Sequence, residues 1–261
     1  MGVMGECLIQ WGRGGRVNAW IRAGVLFCAL LVWQWVTVEV GNPYFPPPLR
    51  VAEAAVRLWP SHHFAADVLP SLLRVLGGWA AASVLGIVIG VLLGRSRAAA
   101  DYFEFVFTFL RTLPPPLLVP VFMLIFGIST EMEVATIVFG SVWPVLLNSV
   151  DGARSVDPVM ADTARVFRLS RARWLFGVVL PAAGPKIFAG LRVSLSIALI
   201  LMVIAEVVGA TSGIGYQLGT AQGASDLPGM WSWIALISLL GYLLNRGLLA
   251  VEHRALVWSR P

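Results

Sequence analysis

The sequence predicts an all-α membrane protein with about six transmembrane helices, and three observations carry that prediction. Of its 261 residues, 58% are hydrophobic and only 13% charged, about half the charged share of a soluble domain; the mean hydropathy is +0.80. Six apolar runs reach the roughly 20 residues that a ~30 Å hydrocarbon core demands: 20–40, 71–94, 102–127, 131–150, 187–210 and 230–251. The basic residues then fall on one side of those runs. Arg13, Arg16 and Arg22 head the first run, and Arg95 and Arg97 separate the second from the third. Arg154, Arg165, Arg168, Arg171, Arg173 and Lys186 separate the fourth from the fifth, and Arg254 and Arg260 follow the sixth. Arg50 and Arg57 hold the opposite side. This bias predicts cytoplasmic termini: a tail over 1–19, a transmembrane domain over 20–251 with a cytoplasmic loop at 151–186, and a tail over 252–261.

The first run begins like a signal peptide, but it is longer than a signal core and "VEVGNPYF" lacks a small-x-small cleavage pattern, so it is expected to remain as an anchor. "PYFPPPLRVAEAAVRLWP" (43–60) reads as an external segment: its prolines impose extended backbone before a short amphipathic helix over 49–59. "RTLPPPLLVP" (111–120) puts three consecutive prolines inside the third run. Their ring nitrogens cannot donate, so that span must kink or break. Such a break is tolerated at membrane depth only against protein or a water-lined cavity. After the fifth run, Gly213, Gly215 and Tyr216 in "ATSGIGYQLG" suit a tight external turn, either a plain loop or an external gate.

Ionisable groups inside the spans are expensive, about 2.5–3.5 kcal/mol each on insertion scales. Arg74 and Glu206 fall at similar depth near the external ends of the second and fifth runs, where they pair or face a passage. Glu104 and Arg111 share one face of the third run, two turns apart and too far for direct pairing. Arg192 opens the fifth run. These five are the pathway candidates, and the three arginines among them favour an anion.

Other function classes are excluded or unsupported. The formal charge of +5, carried by 18 arginines and the single Lys186, is loop charge, because little of this chain can form the exposed basic face that nucleic acid requires. Cys7 and Cys28 lie apart, and no CxxC or Cys/His cluster has metal-ligand spacing. His62, His63 and His253 read as solvated loop residues. The tryptophans gather near span ends as interfacial anchors do.

The loop between the fourth and fifth runs is the unusual segment. In "ADTARVFRLSRARWLFGVVLP" (161–181), Asp157-Pro158 starts a helix as N-cap and first residue. Val159, Met160, Thr163, Ala164, Val166 and Phe167 gather on one side, and Asp162, Arg165 and Arg168 on the other. Ser170 then caps a second short helix over 171–179, ending at Pro181. A helix of about ten residues is marginal alone in water. It therefore lies on headgroups or docks into a partner's groove.

This loop resembles the EAA loop of bacterial ABC-importer permeases, which runs Glu-Ala-Ala, three residues, Gly, nine residues, Ile, any residue, Leu-Pro. Asp162, Thr163 and Ala164 stand for the first three, Arg168 for the Gly, Val178 for the Ile, and Leu180 and Pro181 for the last two. Arg168 at the Gly position implies a turn that avoids positive φ or turns at another angle. "SLLRVLGGWAAASVLGIVIGVLLGRS", "FLRTLPPPLLVPVFMLIFG" and "LPAAGPKIFAGLRVSLSIALILMVIAEVVGATSGIGYQL" are similar to the branch that serves nitrate, sulfonate, taurine and bicarbonate importers.

The resemblance implies a MetI-like fold in the bacterial inner membrane. It implies coupling through Asp157, Met160, Asp162, Thr163, Ala164, Arg165, Phe167, Arg168, Leu169 and Ser170, with Met160, Ala164 and Phe167 supplying burial and Arg165 and Arg168 orientation; Val178, Leu180 and Pro181 turn and anchor the loop. The implied partners are a second permease copy, two ATP-binding subunits and a periplasmic or lipid-anchored solute-binding protein, with lipid around the spans. The chain itself is implied to be no enzyme and to carry no cofactor. Its one lysine, in "AAGPKIF", belongs to no phosphate loop, so ATP and Mg would bind the partner. A self-sufficient secondary transporter, and a membrane enzyme or scaffold, are the competing classes. The first usually shows repeated halves, and no repeat is evident here.

Overall fold

The computed structural model describes residues 19–257; residues 1–18 and 258–261, with Cys7, Arg13, Arg16, Arg260, nearly all of the predicted N-terminal tail and the last four residues of the C-terminal one, lie outside it. The described residues form helices and connecting turns, with no strand among them. In chain order these are α1 (Ala19–Val40), α2 (Pro48–Leu58), a π turn (Phe64–Val68) leading into α3 (Leu69–Gly94), α4 (Arg97–Thr112), a 3-10 turn (Pro115–Leu118) and α5 (Val119–Phe126). There follow α6 (Thr130–Arg154), α7 (Pro158–Val166), α8 (Arg171–Trp174), a π turn (Leu175–Val179), α9 (Leu180–Gly209), α10 (Ile214–Gly223) and α11 (Leu227–Ala255).

Four continuous helices are long and apolar enough to cross a membrane: Phe64–Gly94, Thr130–Arg154, Arg171–Gly209 and Leu227–Ala255. The proline triplet breaks the third predicted run as expected, bending Asp101–Thr112 against Pro115–Phe126 by 81°, and this pair makes a fifth span if counted as one. The first run is the remaining apolar helix, of which Gly24–Val40 is the described apolar stretch.

The fifth run differs from its prediction. Ser170 does cap a helix, its Oγ accepting from the Arg173 N–H at 3.3 Å, but that helix does not stop at Pro181. It widens into the π turn, where the Leu180 N–H donates to the Leu175 carbonyl five residues back, and runs on to Gly209. The same device precedes Pro70, where the Leu69 N–H donates to the Phe64 carbonyl. In both places the wider turn admits a proline that would otherwise clash with the preceding turn and end the helix. The helix that carries the fifth span therefore begins at Arg171, ahead of the predicted start at 187.

The core is a three-helix stack. α3 and α6 run parallel in constant register, with Gly78 opposite Ile137, Gly86 opposite Val145, Gly90 opposite Ser149 and Gly94 opposite Ala153. This small-residue stripe lets the two backbones approach where lipid supplies no hydrophobic drive for association. α9 packs antiparallel on α6, Gly190 against Asn148 and Gly152 against Ala183, and Ser194 Oγ donates across to the Ser141 carbonyl at 2.6 Å. Val75, Ile137, Ala198, Leu201 and Met202 fill the centre. A Cβ at Gly90 would stand 2.5 Å from the Leu146 carbonyl oxygen and 2.6 Å from Ser149 Cβ. Gly90→Val is therefore expected to lower stability by about 1–3 kcal/mol, read as a lower unfolding midpoint in detergent, whereas Gly77→Val, with nothing within 4 Å of its added Cβ, leaves the midpoint unchanged.

Candidate functional site

At one end of the bundle, a single side of the helix that contains α3 carries His63, Asp67, Ser71 and Arg74, spaced four, four and three residues apart. The guanidinium of Arg74, only 11% exposed, is the hub. Its Nε lies 2.9 Å from Glu133 Oε2 of α6 and its Nη1 3.2 Å from Glu206 Oε1 of α9. It also donates to the Ser212 carbonyl at 3.0 Å and to Ser212 Oγ at 3.3 Å.

The remaining groups cage the start of α10. Gly213, at φ 125, presents its N–H to Asp67 Oδ1 at 2.9 Å, the Ile214 N–H reaches Ser71 Oγ at 2.9 Å, and the Gly215 N–H reaches Glu206 Oε2 at 2.8 Å. Ser71 Oγ in turn donates to Glu206 Oε1 at 2.6 Å. Three amides that an isolated helix start leaves unsatisfied are thus all bonded, by anionic or polar side chains that also suit the positive end of the helix dipole. An L side chain at Gly213 is excluded twice over: the backbone is in the region that favours glycine, and an added Cβ would sit 2.5 Å from Glu206 Cδ.

The predicted Arg74–Glu206 proximity is therefore a direct pair. The predicted turn at Gly213 and Gly215 is present but opens a ten-residue helix, α10, that the sequence reading treated as loop. Tyr216 lies in its first turn. Three members of the cluster went unread: Glu133, Asp67 and Ser71. Polar residues at 67, 71 and 74 on one side of an otherwise apolar helix were the available signal. His63 is also corrected. Far from a solvated loop residue, it sits partly buried with Nδ1 2.7 Å from Asp67 Oδ2 and its ring edge against Trp233.

At the opposite end α7 stands out from the bundle. Asp157 caps it, Oδ1 accepting from the Val159 N–H at 2.8 Å. Its C-terminus closes in a Schellman turn: the Arg168 N–H donates to the Arg165 carbonyl and the Leu169 N–H to the Ala164 carbonyl, both at 3.0 Å, with Arg168 at φ 51. This overturns the expectation that arginine avoids positive φ here. Arg168 adopts the left-handed conformation that the Gly of the EAA pattern provides without strain. Arg168→Gly is expected to stabilise this turn by about 1 kcal/mol, seen as several-fold slower amide exchange at Leu169.

From Asp157 to Arg173 every residue is exposed except Ala161, half-buried, and Ala164, buried. Val159 is 70% exposed, Met160 49% and Phe167 74%. The apolar side predicted from Met160, Ala164 and Phe167 accordingly loses Ala164, which faces the chain itself, and keeps the other two. Arg165 reaches Asp162 at 2.8 Å, but both are well exposed, so this pair is worth at most about 1 kcal/mol and leaves both side chains available.

Residues 82–256 match the family described as the binding-protein-dependent transport system inner membrane component. The chain belongs to that family. It is 29% identical to the putative aliphatic sulfonates transport permease protein SsuC of Bacillus subtilis, over 94% of this chain and 90% of that one. It is 30% identical to the taurine transport system permease protein TauC of Escherichia coli, over 91% and 89%. Its fold is shared with a chain of the MetNI methionine ABC transporter in an inward-facing conformation, at a TM-score of 0.63 and 17% identity over 72% of this chain and 94% of that one. The protein is thus a membrane component of a transport system, with the MetI-like helical fold, and not an enzyme.

In this permease the remaining candidates are placed as follows. Arg192 pairs with Glu252 of α11, tying two spans together. Glu104 and Arg111 make no ion pair among the described residues; both line a cavity of about 380 Å³ with Asp101, Asp151 and Arg154. Val178 and Leu180 are half-buried around the π turn, and Pro181 is the second residue of α9 behind it.

Proposed function

We propose that this chain is the translocation subunit of an ATP-driven importer, working as a homodimer and drawing its energy from a separate pair of ATPase subunits that grip α7. One observation carries the reading: α7 is a short, capped rod whose Val159, Met160 and Phe167 face away from their own bundle, closed by a left-handed turn where the EAA pattern has Gly. Helix-in-groove docking covers such a side. Closure of the ATPase pair would draw two α7 rods together and rock the spans between inward-open and outward-open states.

The second copy is supported by the break at the proline triplet. Thr112, Pro114 and Leu117 are exposed there, and irregular backbone at membrane depth calls for protein or a water-lined cavity beside it. With α7 in the cytoplasm, as the arginine bias indicates, the Arg74 cluster lies at the external mouth. There it acts as a latch that ties α3, α6, α9 and α10 together; a binding protein would deliver the cargo at this side. The sulfonate and taurine that the relatives' names carry, and Arg111 beside the break, support a small solute with an anionic group, such as a sulfonate, taurine, nitrate or bicarbonate. The deciding experiment reconstitutes the chain in liposomes alone, and with its ATPase and binding-protein partners. Solute uptake is expected only in the complete assembly and only with ATP; uptake by the lone chain establishes a secondary transporter instead.

A further inference from the structure

Two cavities lie one helical turn apart between the same three elements, α1, α2 and α11. The inner one is an apolar groove of about 890 Å³ bounded by Leu30 and Trp33 of α1, Ala55 and Val56 of α2, and Trp231 and Ile234 of α11. The outer one, of about 500 Å³, has a mixed lining of prolines and polar groups that includes Thr37, Asn42, Arg50 and Ser225. Arg50 makes no ion pair among the described residues. α2 is amphipathic: Val51, Ala55 and Trp59, four residues apart, line the groove, while Arg50 reaches the outer cavity and Arg57 is exposed. That arrangement belongs to a helix lying in a membrane interface.

We propose that these paired cavities hold one anionic phospholipid, its phosphate against Arg50 and an acyl chain along the apolar groove. The groove opens sideways between two apolar helices whose outward faces are exposed, Leu30 at 49% and Val25 at 64% on α1, and at that depth acyl chains are the solvent. Trp33 and Trp231, with ring centroids 5.7 Å apart, line the groove one turn from Thr37 and Leu227 of the outer cavity, as amphipathic rings do at headgroup level. Charge selects lipid over a protein helix as the occupant. Arg50 is exposed at the outer cavity, so an apolar partner helix in the groove gains nothing from its charge, whereas a headgroup phosphate beside the groove pairs with it.

The test places the full-length chain in nanodiscs of phosphatidylglycerol or phosphatidylcholine, and counts co-purifying lipid by native mass spectrometry. A phospholipid with a diazirine midway along one acyl chain maps the contact by cross-linking. Phosphatidylglycerol is expected to be retained about fivefold over phosphatidylcholine, and Arg50→Gln removes that preference. Cross-links fall on α2 and α11. Val56→Trp, at a position 75% exposed, fills the groove and abolishes them without lowering the unfolding midpoint. Equal retention of both lipids overturns the proposal, as do cross-links that survive Val56→Trp. Displacement of the lipid by inorganic phosphate would make Arg50 a free-phosphate site, and cross-links between two copies of the chain would make the groove a protein interface; either overturns it.

Discussion

Phe167→Glu is expected to abolish coupled transport while leaving the protein in the membrane. A buried phenylalanine contributes about 1.5–3 kcal/mol through the apolar area it removes from water, so its loss alone weakens docking by about tenfold to a hundredfold. A carboxylate forced into an apolar groove weakens it further. In the reconstituted importer this appears as ATP hydrolysis that no longer responds to loaded binding protein, with solute uptake reduced at least tenfold and the amount of inserted chain unchanged. Met160→Glu should behave alike. Asp162→Ala should lose little, because its ion pair with Arg165 is exposed and each partner remains solvated. Ala164→Asp differs from both: Ala164 is buried within the chain, so that variant disturbs the loop's own fold, and lost uptake there does not report on docking.

Arg74→Met carries the largest expected effect on stability. It leaves Glu133 and Glu206, 2% and 0% exposed, facing one another without their guanidinium, and removing one partner of a buried ion pair costs about 3–5 kcal/mol. Glu133→Gln should cost far less, since Arg74 retains Glu206 and Ser212, and Glu133→Gln placed on Arg74→Met should recover part of the loss. Glu206→Gln falls between, because an amide still accepts from the Gly215 N–H while the ion pair disappears. Unfolding of the purified variants in detergent orders them: Arg74→Met lowest, then Glu206→Gln, then Glu133→Gln. If Arg74→Met unfolds with the midpoint of the parent, the cluster is no latch.

The bundle was legible in the sequence because hydropathy and arginine bias report directly on membrane depth, and because prolines 114–116 can break a helix but not continue it. What escaped has local causes. α10 was missed because its ten residues hold three glycines, in IGYQLGTAQG, and no apolar periodicity; what starts it is its bonds to Asp67, Ser71 and Glu206, which come from distant parts of the chain. The continuation past Pro181 was missed because a π turn leaves no signature in composition. Arg168 misled for a different reason. Side-chain preference argues against a left-handed arginine, but the two carbonyls closed by the Schellman turn outweigh a strain of about 1–2 kcal/mol. Glu133 gave no signal because it stands only four residues into its helix, and only the fold brings it to Arg74. The Asp157-Pro158 start and the apolar residues from Val159 to Phe167, by contrast, marked α7 in the sequence.

The most direct measurement places a photo-activated cross-linking residue at Met160 in the full importer, with a second at Val88 on the apolar outer face of α3 for comparison. If α7 is the coupling rod, Met160 cross-links to the ATPase subunit, the yield changes between nucleotide-free and ATP-bound assemblies, and Val88 labels lipid alone. Met160 cross-linking only to lipid, or to no protein at all in an assembly that still transports, would contradict it.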